Sequence, residues 1–366
     1  MNEYPVNGIL PTPHAFGVAF GNDPTKAYVL SQSLGLRRVD VSAVTSGQAA
    51  VGSPALLNVL ASGVYEHSSE DSGHVGGVVG QDHAYGVTFH GNYAIVADGG
   101  NGLTVYDITV DATTGNHVVA NLGGESKAKP MLGRTQSVKL WTDVATGRIY
   151  AVASAGPYGV TVVDMTGLLV NNVRPGMTLL KTFEPIKLEE EEGVVKAGRA
   201  DGKSVDVHIV GDHAYISYDS FGLVAYRMAD LIKPIASVNP LCTDPTALFN
   251  PQTQVDCRPV AVGRFKLQEL AGYEGVDGGA QFMTPQFFPA NTPLVDMAGT
   301  VYSLAQPRLL FYVAYGAAGV VKLDWSDPAA PSMVAIKDTA GSATATAISN
   351  GRVYVADGTG GLVVFK

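Results

Sequence analysis

Charge is scarce in this sequence: Asp, Glu, Lys and Arg make up 16% of the 366 residues, and the balance is negative, with a formal net charge of −9 and a pI near 5.3. A surface without basic excess argues against nucleic acid or an anionic membrane as partner, because both demand clustered Lys and Arg. No apolar run reaches the ~18 residues that a membrane-spanning helix needs. The N-terminal stretch MNEYPVNGILPTPH has neither the basic n-region nor the apolar h-region of a signal peptide. Cysteine is limited to Cys242 and Cys257, 15 residues apart, without the CxxC spacing of a zinc site or the CxxCH of c-type haem. They are either two free thiols or one disulfide. Also missing are a GxSxG elbow, a Walker loop, HExxH and a dinucleotide fingerprint. The glycine-rich GHVGGVVG at 73–80 lacks the following helix that a phosphate cradle requires.

What is abundant is glycine, 43 residues, beside a hydrophobic content of 46%. That is the composition of a turn-rich all-β chain with an ample core. The stretch Asn92–Ile108, NYAIVADGGNGLTVYDI, shows how it is used: two apolar halves flank the turn Asp98-Gly-Gly-Asn-Gly102. Versions of it recur six times, aligned on Gly35, Gly102, Gly159, Gly222, Gly319 and Gly361. Five positions after the glycine stands Asp40, Asp107, Asp164 or Asp324 in four copies. Period-two alternation around a tight turn predicts a β-hairpin, with glycine where the chain needs positive φ. A further strand precedes each hairpin, as in HAFGVAFG (14–21) and VDVHIVG (205–211), and another follows it, as in TLLKTF (178–183) and SMVAIK (332–337).

Four strands per repeat, with no way to bury both faces of one sheet alone, predict a β-propeller. The marker glycines stand 67, 57, 63, 97 and 42 residues apart, so the shortest interval is one bare blade and the others carry insertions. We expect a single domain over 1–366 with insertions at 66–82, 184–203, 233–258 and 268–298, and six blades. Seven blades are the alternative, if Gln268–Ala298 forms one; Gly278, Gly279, Pro285, Pro289 and Pro293 speak against a long ladder there. The last repeat ends on its third strand, so Pro5–Leu10 is expected to pair with Leu362–Phe365 and close the last blade.

The hairpin motif resembles the LVIVD-repeat family of propellers, whose Tyr-Val-Ala-Asp…Gly-Leu-x-Val-x-Asp pattern is matched by Tyr354–Phe365 and Ala94–Asp107. The resemblance covers essentially the whole chain. It implies the fold but transfers no catalytic residue, since the family is largely of unassigned function. Its members are often secreted or on the cell surface. This implies an extracellular, cell-surface or periplasmic location, and with it a Cys242–Cys257 disulfide.

By propeller geometry, the segments leading into the innermost strands share one face with the conserved turns. Three long insertions, Glu66–Asp82, Glu184–Lys203 and Gln268–Ala298, are expected on that top face, and the cysteine loop on the opposite one. Long insertions in a compact domain are commonly functional. The acidic run Glu189–Glu192 reads as a solvated loop, and the aromatic insertion with Tyr273, Phe282, Phe287 and Phe288 as a blade-capping mini-core rather than a ligand lid. His14, His83, Arg134 and Lys203 occupy one register in the first four repeats and would ring the channel mouth, with His67 and His74 in reach. Imidazoles there suit copper, zinc or iron, and calcium is a further candidate; the cations Arg134 and Lys203 favour instead a carboxylate or phosphate. Alternatively, each histidine only caps a connection between blades. Asp98, Asp357 and the repeated third-strand aspartates read as structural. The expected function is non-enzymatic binding of a protein or carbohydrate by a monomer. The alternative is a metal-dependent hydrolase or oxidoreductase at the channel mouth.

Overall fold

The computed structural model describes residues 15–31, 35–42, 55–61, 84–109, 118–123, 135–184, 186–191, 194–199, 202–233, 249–250, 255–256, 258–295 and 300–365. Each repeat folds as an antiparallel sheet in which sequence neighbours pair in order, the arrangement that short turns between amphipathic or doubly buried strands allow. Blade 1 is β1 (Ala15–Phe20), β2 (Lys26–Ser31), β3 (Gly35–Asp40) and β4 (Ala55–Ala61); blade 2 is β5 (Gly86–His90), β6 (Tyr93–Ala97), β7 (Leu103–Asp107) and β8 (Val118–Leu122). Blade 3 is β9 (Ser137–Asp143), β10 (Arg148–Ser154), β11 (Val160–Asp164) and β12 (Thr178–Phe183), with the short helix α1 (Thr166–Leu169) before its last strand.

A ribbon of β13 (Ile186–Glu191) and β14 (Val194–Arg199) leads to blade 4, made of β15 (Asp206–Val210), β16 (His213–Tyr218), β17 (Gly222–Arg227) and β20 (Gly263–Phe265). Between β17 and β20 lie α2 (Met228–Leu231) and the two-residue pair β18 (Phe249–Asn250) and β19 (Val255–Asp256). Blade 5 is β21 (Met283–Phe288), β24 (Arg308–Ala314), β25 (Val320–Asp324) and β26 (Ser332–Lys337), with the ribbon β22 (Pro293–Val295) and β23 (Val301–Ser303) between its first two strands. Blade 6 is β27 (Ala345–Ser349), β28 (Arg352–Ala356) and β29 (Leu362–Phe365). The fold is a six-bladed β-propeller. Two compact units divide the chain near Thr182, the first holding blades 1 to 3 and the second blades 4 to 6.

Burial explains why the second strands read as nearly continuous apolar runs instead of alternating. In β6, Ala94 and Val96 join one cluster with Tyr28, Leu36 and Tyr106, while Ile95 and Ala97 join another with Val138, Ala151 and Val163. Both faces of the strand are thus covered, as in a parallel sheet with two helical layers. In the second unit the aromatic centre is Tyr215, Phe311 and Trp325, with Tyr215 and Trp325 edge to face at 5.2 Å.

The marker glycine is required twice over. Gly222 and Gly319 have φ of 95° and 80°, and a Cβ on either would collide with a main-chain oxygen of the next strand, that of Phe265 or Lys337. Three positions earlier, the turn also binds the next blade. Gly99 and Thr135 exchange N–H···O bonds of 3.1 and 3.0 Å, Gly316 and Ala343 do so at 3.0 and 2.9 Å, and Ala280 donates to Asp219 O at 2.9 Å.

The insertion at 268–298 is not a seventh blade. It contains the innermost strand of blade 5, in which Pro285 stands opposite Phe311. A proline is compatible with this strand because β21 is first in its sheet and needs donors toward one side only. The insertion also divides: 266–282 precedes β21, whereas 289–307 follows it, at the other end of the strand, so Phe287 and Phe288 do not belong to one cap with Tyr273. In the first part Leu270, Tyr273 and Val276 do pack on the aromatic core, as a mini-core. The acidic run is likewise not a loop up to Glu191, since Glu189 to Glu191 pair along β13, Glu189 opposite Lys196. The expected partner of Leu362–Phe365, Pro5–Leu10, lies outside the described residues.

Candidate functional site

The repeated aspartates are consumed by the fold. At the end of the third strand the carboxylate accepts the N–H two residues on: Ser42 to Asp40 at 2.8 Å, Thr109 to Asp107 at 2.9 Å, Thr166 to Asp164 at 2.9 Å and Ser326 to Asp324 at 3.1 Å. The hydroxyl at that second position is as useful as the N–H. Thr109 and Ser326 donate it back to the same carboxylate at 2.6 Å, while Ser326 Oγ and Thr166 Oγ1 also accept from Leu309 and Ile149 N–H at 3.0 Å. Arg148 and Arg308 complete two of these turns by pairing with Asp164 and Asp324. Burial pushes the Asp324 carboxyl up, but Ser326 and Arg308 outweigh it and hold it below the usual range. Asp98 accepts from Thr104 at 2.9 Å and Asp357 from Gly341 N–H at 2.8 Å, both buried. All these acids close turns.

Of the expected ring, Lys203 is described and is exposed. His14, His67, His74, His83 and Arg134 lie outside the described residues, as do Cys242 and Cys257. Among the described residues no group of three or more His, Cys, Asp or Glu side chains converges on a metal position.

Three residues beyond Lys203 stands a pair that the sequence reading passed over. Asp206 and His208 are alternate residues of β15, so their side chains leave the same face of the strand, and His208 Nε2 stands 3.2 Å from Asp206 Oδ2. The carboxylate is almost fully buried, with 6% of its side chain exposed, and the imidazole is at 21%. Asp206 is held on both oxygens: Oδ1 accepts Val207 N–H at 2.9 Å and Oδ2 accepts Met283 N–H, at the start of β21, at 3.1 Å. Its own N–H donates to Ser217 Oγ at 3.0 Å. The signal that could have found the pair is comparison of registers. The other blades place Gly17 and Ala19, Gly86 and Thr88, Ser137 and Lys139, Phe282 and Thr284, and Ala345 and Ala347 there. An acid with an imidazole is therefore no requirement of the repeat.

Blade 4 departs from the repeat at its turn as well. Asp219 takes the slot of Gly99, Gly156, Gly316 and Gly358 and keeps the positive φ, at 35°. Its Oδ1 accepts from Gln281 Nε2 at 3.0 Å. The aspartate side chain tolerates this backbone region better than most, and here it ties the turn to the segment leading into β21.

The LVIVD repeat family matches residues 82–112, 311–339 and 340–365. The chain carries LVIVD repeats. The matched stretches contain the hairpins of blades 2, 5 and 6. Among solved structures, the LVIVD-repeat chain is similar to the computationally designed Ika8 protein, with 9% identity over 96% of this chain and 83% of that one and a TM-score of 0.46. It is similar also to BamB from Moraxella catarrhalis, with 12% identity over 95% and 83% and a TM-score of 0.44. The Cps50 (Swd1) β-propeller domain of Myceliophteria thermophila matches with 10% identity over 97% and 98% and a TM-score of 0.42. No curated protein matches.

Proposed function

We propose that this LVIVD-repeat propeller is a non-enzymatic binding protein that works outside the cytoplasm, in the periplasm, on the cell surface or beyond it, as a monomer. It presents the face bearing the conserved turns and the segments leading into the innermost strands to a protein partner. The observation that carries this reading is the division of labour among polar residues. Those repeated from blade to blade close turns, whereas Lys203, on the segment leading into β15, belongs to no repeated turn and is exposed. Variable polar residues on invariant supports are how a scaffold acquires specificity. Lys203 gives the contact its expected charge and calls for an acidic group on the partner.

The test is capture from periplasmic and culture-supernatant fractions by immobilised wild type and Lys203→Glu. A protein retained by wild type and lost with the variant supports the reading. Retention of defined glycans on an array, with no protein distinguishing the two forms, would replace the protein partner by a carbohydrate.

A further inference from the structure

We propose that Asp206 and His208 form a two-ligand chelate for a divalent transition-metal ion, zinc in the first instance, on the innermost strand of blade 4. The proposal does not depend on the partner-binding reading above. Its first warrant is the bite. Zinc takes histidine nitrogen and carboxylate oxygen at about 2.0–2.2 Å in tetrahedral geometry, which sets neighbouring ligand atoms about 3.3 Å apart. His208 Nε2 and Asp206 Oδ2 stand at 3.2 Å.

The second warrant is the support. Metal-binding carboxylates work when further hydrogen bonds fix them, and Asp206 is fixed from two directions by the main-chain N–H groups of Val207 and Met283. The third is availability. The His208 side chain keeps 21% of its surface exposed, and among the described residues the strand it stands on is first in its sheet, with no further strand on that side. Two coordination positions are then left for water or for a donor atom of a bound molecule.

The test is titration of tag-free protein with zinc alone by calorimetry, in parallel for wild type, His208→Gln and Asp206→Asn. The other histidines are unchanged in all three, so the site is read as a difference. The proposal expects wild type to bind one equivalent more than His208→Gln, and Asp206→Asn to bind that equivalent at least about tenfold more weakly. His208 is partly exposed, so its glutamine variant is expected to fold; an unchanged near-ultraviolet circular dichroism spectrum checks this for both variants. Equal stoichiometry in wild type and His208→Gln, or undiminished affinity in a folded Asp206→Asn, would overturn the chelate.

Discussion

Asp206 Oδ2 accepts the main-chain N–H of Met283 at 3.1 Å, a side-chain link between the innermost strands of blades 4 and 5. The same carboxylate also satisfies Val207 N–H, so removing it leaves two donors behind. Asp206→Ala is expected to cost about 1–3 kcal/mol, the usual penalty for stranding buried polar groups, with Asp206→Asn costing less because its amide oxygen still accepts. Urea denaturation of the three forms checks the order.

Gly319 and Gly361 hold the same repeat position with φ of 80° and 75°, yet their surroundings differ. A Cβ on Gly319 would strike Lys337 O, whereas one on Gly361 would meet nothing within 4 Å among the described residues. Gly361→Ala should therefore cost only the left-handed backbone penalty, about 1–2 kcal/mol. Gly319→Ala should cost clearly more, because β26 must also move. Equal shifts in the thermal midpoint would contradict the steric part of the argument.

Among the described residues the buried hydroxyl of Tyr226 has no hydrogen-bond partner, while its ring meets Phe183 edge to face at 5.3 Å. Burial pushes this phenol far above its ordinary pKa. Phenylalanine keeps the ring contact and removes the unsatisfied group, so Tyr226→Phe is expected to be neutral or stabilising by up to about 1 kcal/mol. A loss above that figure in chemical denaturation would mean that the hydroxyl has a role.

Stability should fall at both ends of the pH scale, for separate reasons. Hydroxyl bonds from Thr25, Ser42 and Thr146, followed by main-chain N–H bonds, hold the carboxyls of Asp23, Asp40 and Asp143 below the usual range. Their contribution is present above the unfolded value, about 3.9, and is lost as pH falls through the lower folded values. Burial raises Tyr215 and Tyr315 to about 12. The neutral phenol is favoured in the fold, so this contribution is complete below about 10 and is lost as pH rises toward 12. Tyr215→Phe should flatten the alkaline limb of a plot of urea midpoint against pH and leave the acid limb unchanged.

The hairpins were legible because their rules are local. Gly222 and Gly319 need a backbone that only glycine adopts freely, and Asp107-x-Thr109 or Asp324-x-Ser326 closes its turn within three residues, so the glycine stands in all six copies and the aspartate in four. The innermost strand of blade 5 was not legible. Pro285 suggests a broken ladder, and only the sheet order shows that the strand is bonded on one side. Asp206 and His208 were hidden for a related reason: a strand such as VDVHIV announces its pairing, but not that Met283, 77 residues away, supplies the N–H that holds the acid. Contacts set by tertiary packing leave no period in the sequence. Where the ring of His14, His83, Arg134 and Lys203 is concerned, only Lys203 is among the described residues.

The bridges from Gly99 to Thr135 and from Gly316 to Ala343 each rest on a pair of main-chain N–H···O bonds, to which the Thr135 hydroxyl adds bonds to Gly99 O and Gly102 O. Nothing about them depends on which side chains precede Thr135 or Ala343, nor on how many residues have been spliced in upstream. Selection can therefore lengthen, shorten or rewrite those upstream segments without disturbing the seam between blades. For protein engineering, a foreign recognition loop grafted ahead of Ala343 would have to end before Gly341, whose N–H is bonded to Asp357 and which has no room for a Cβ.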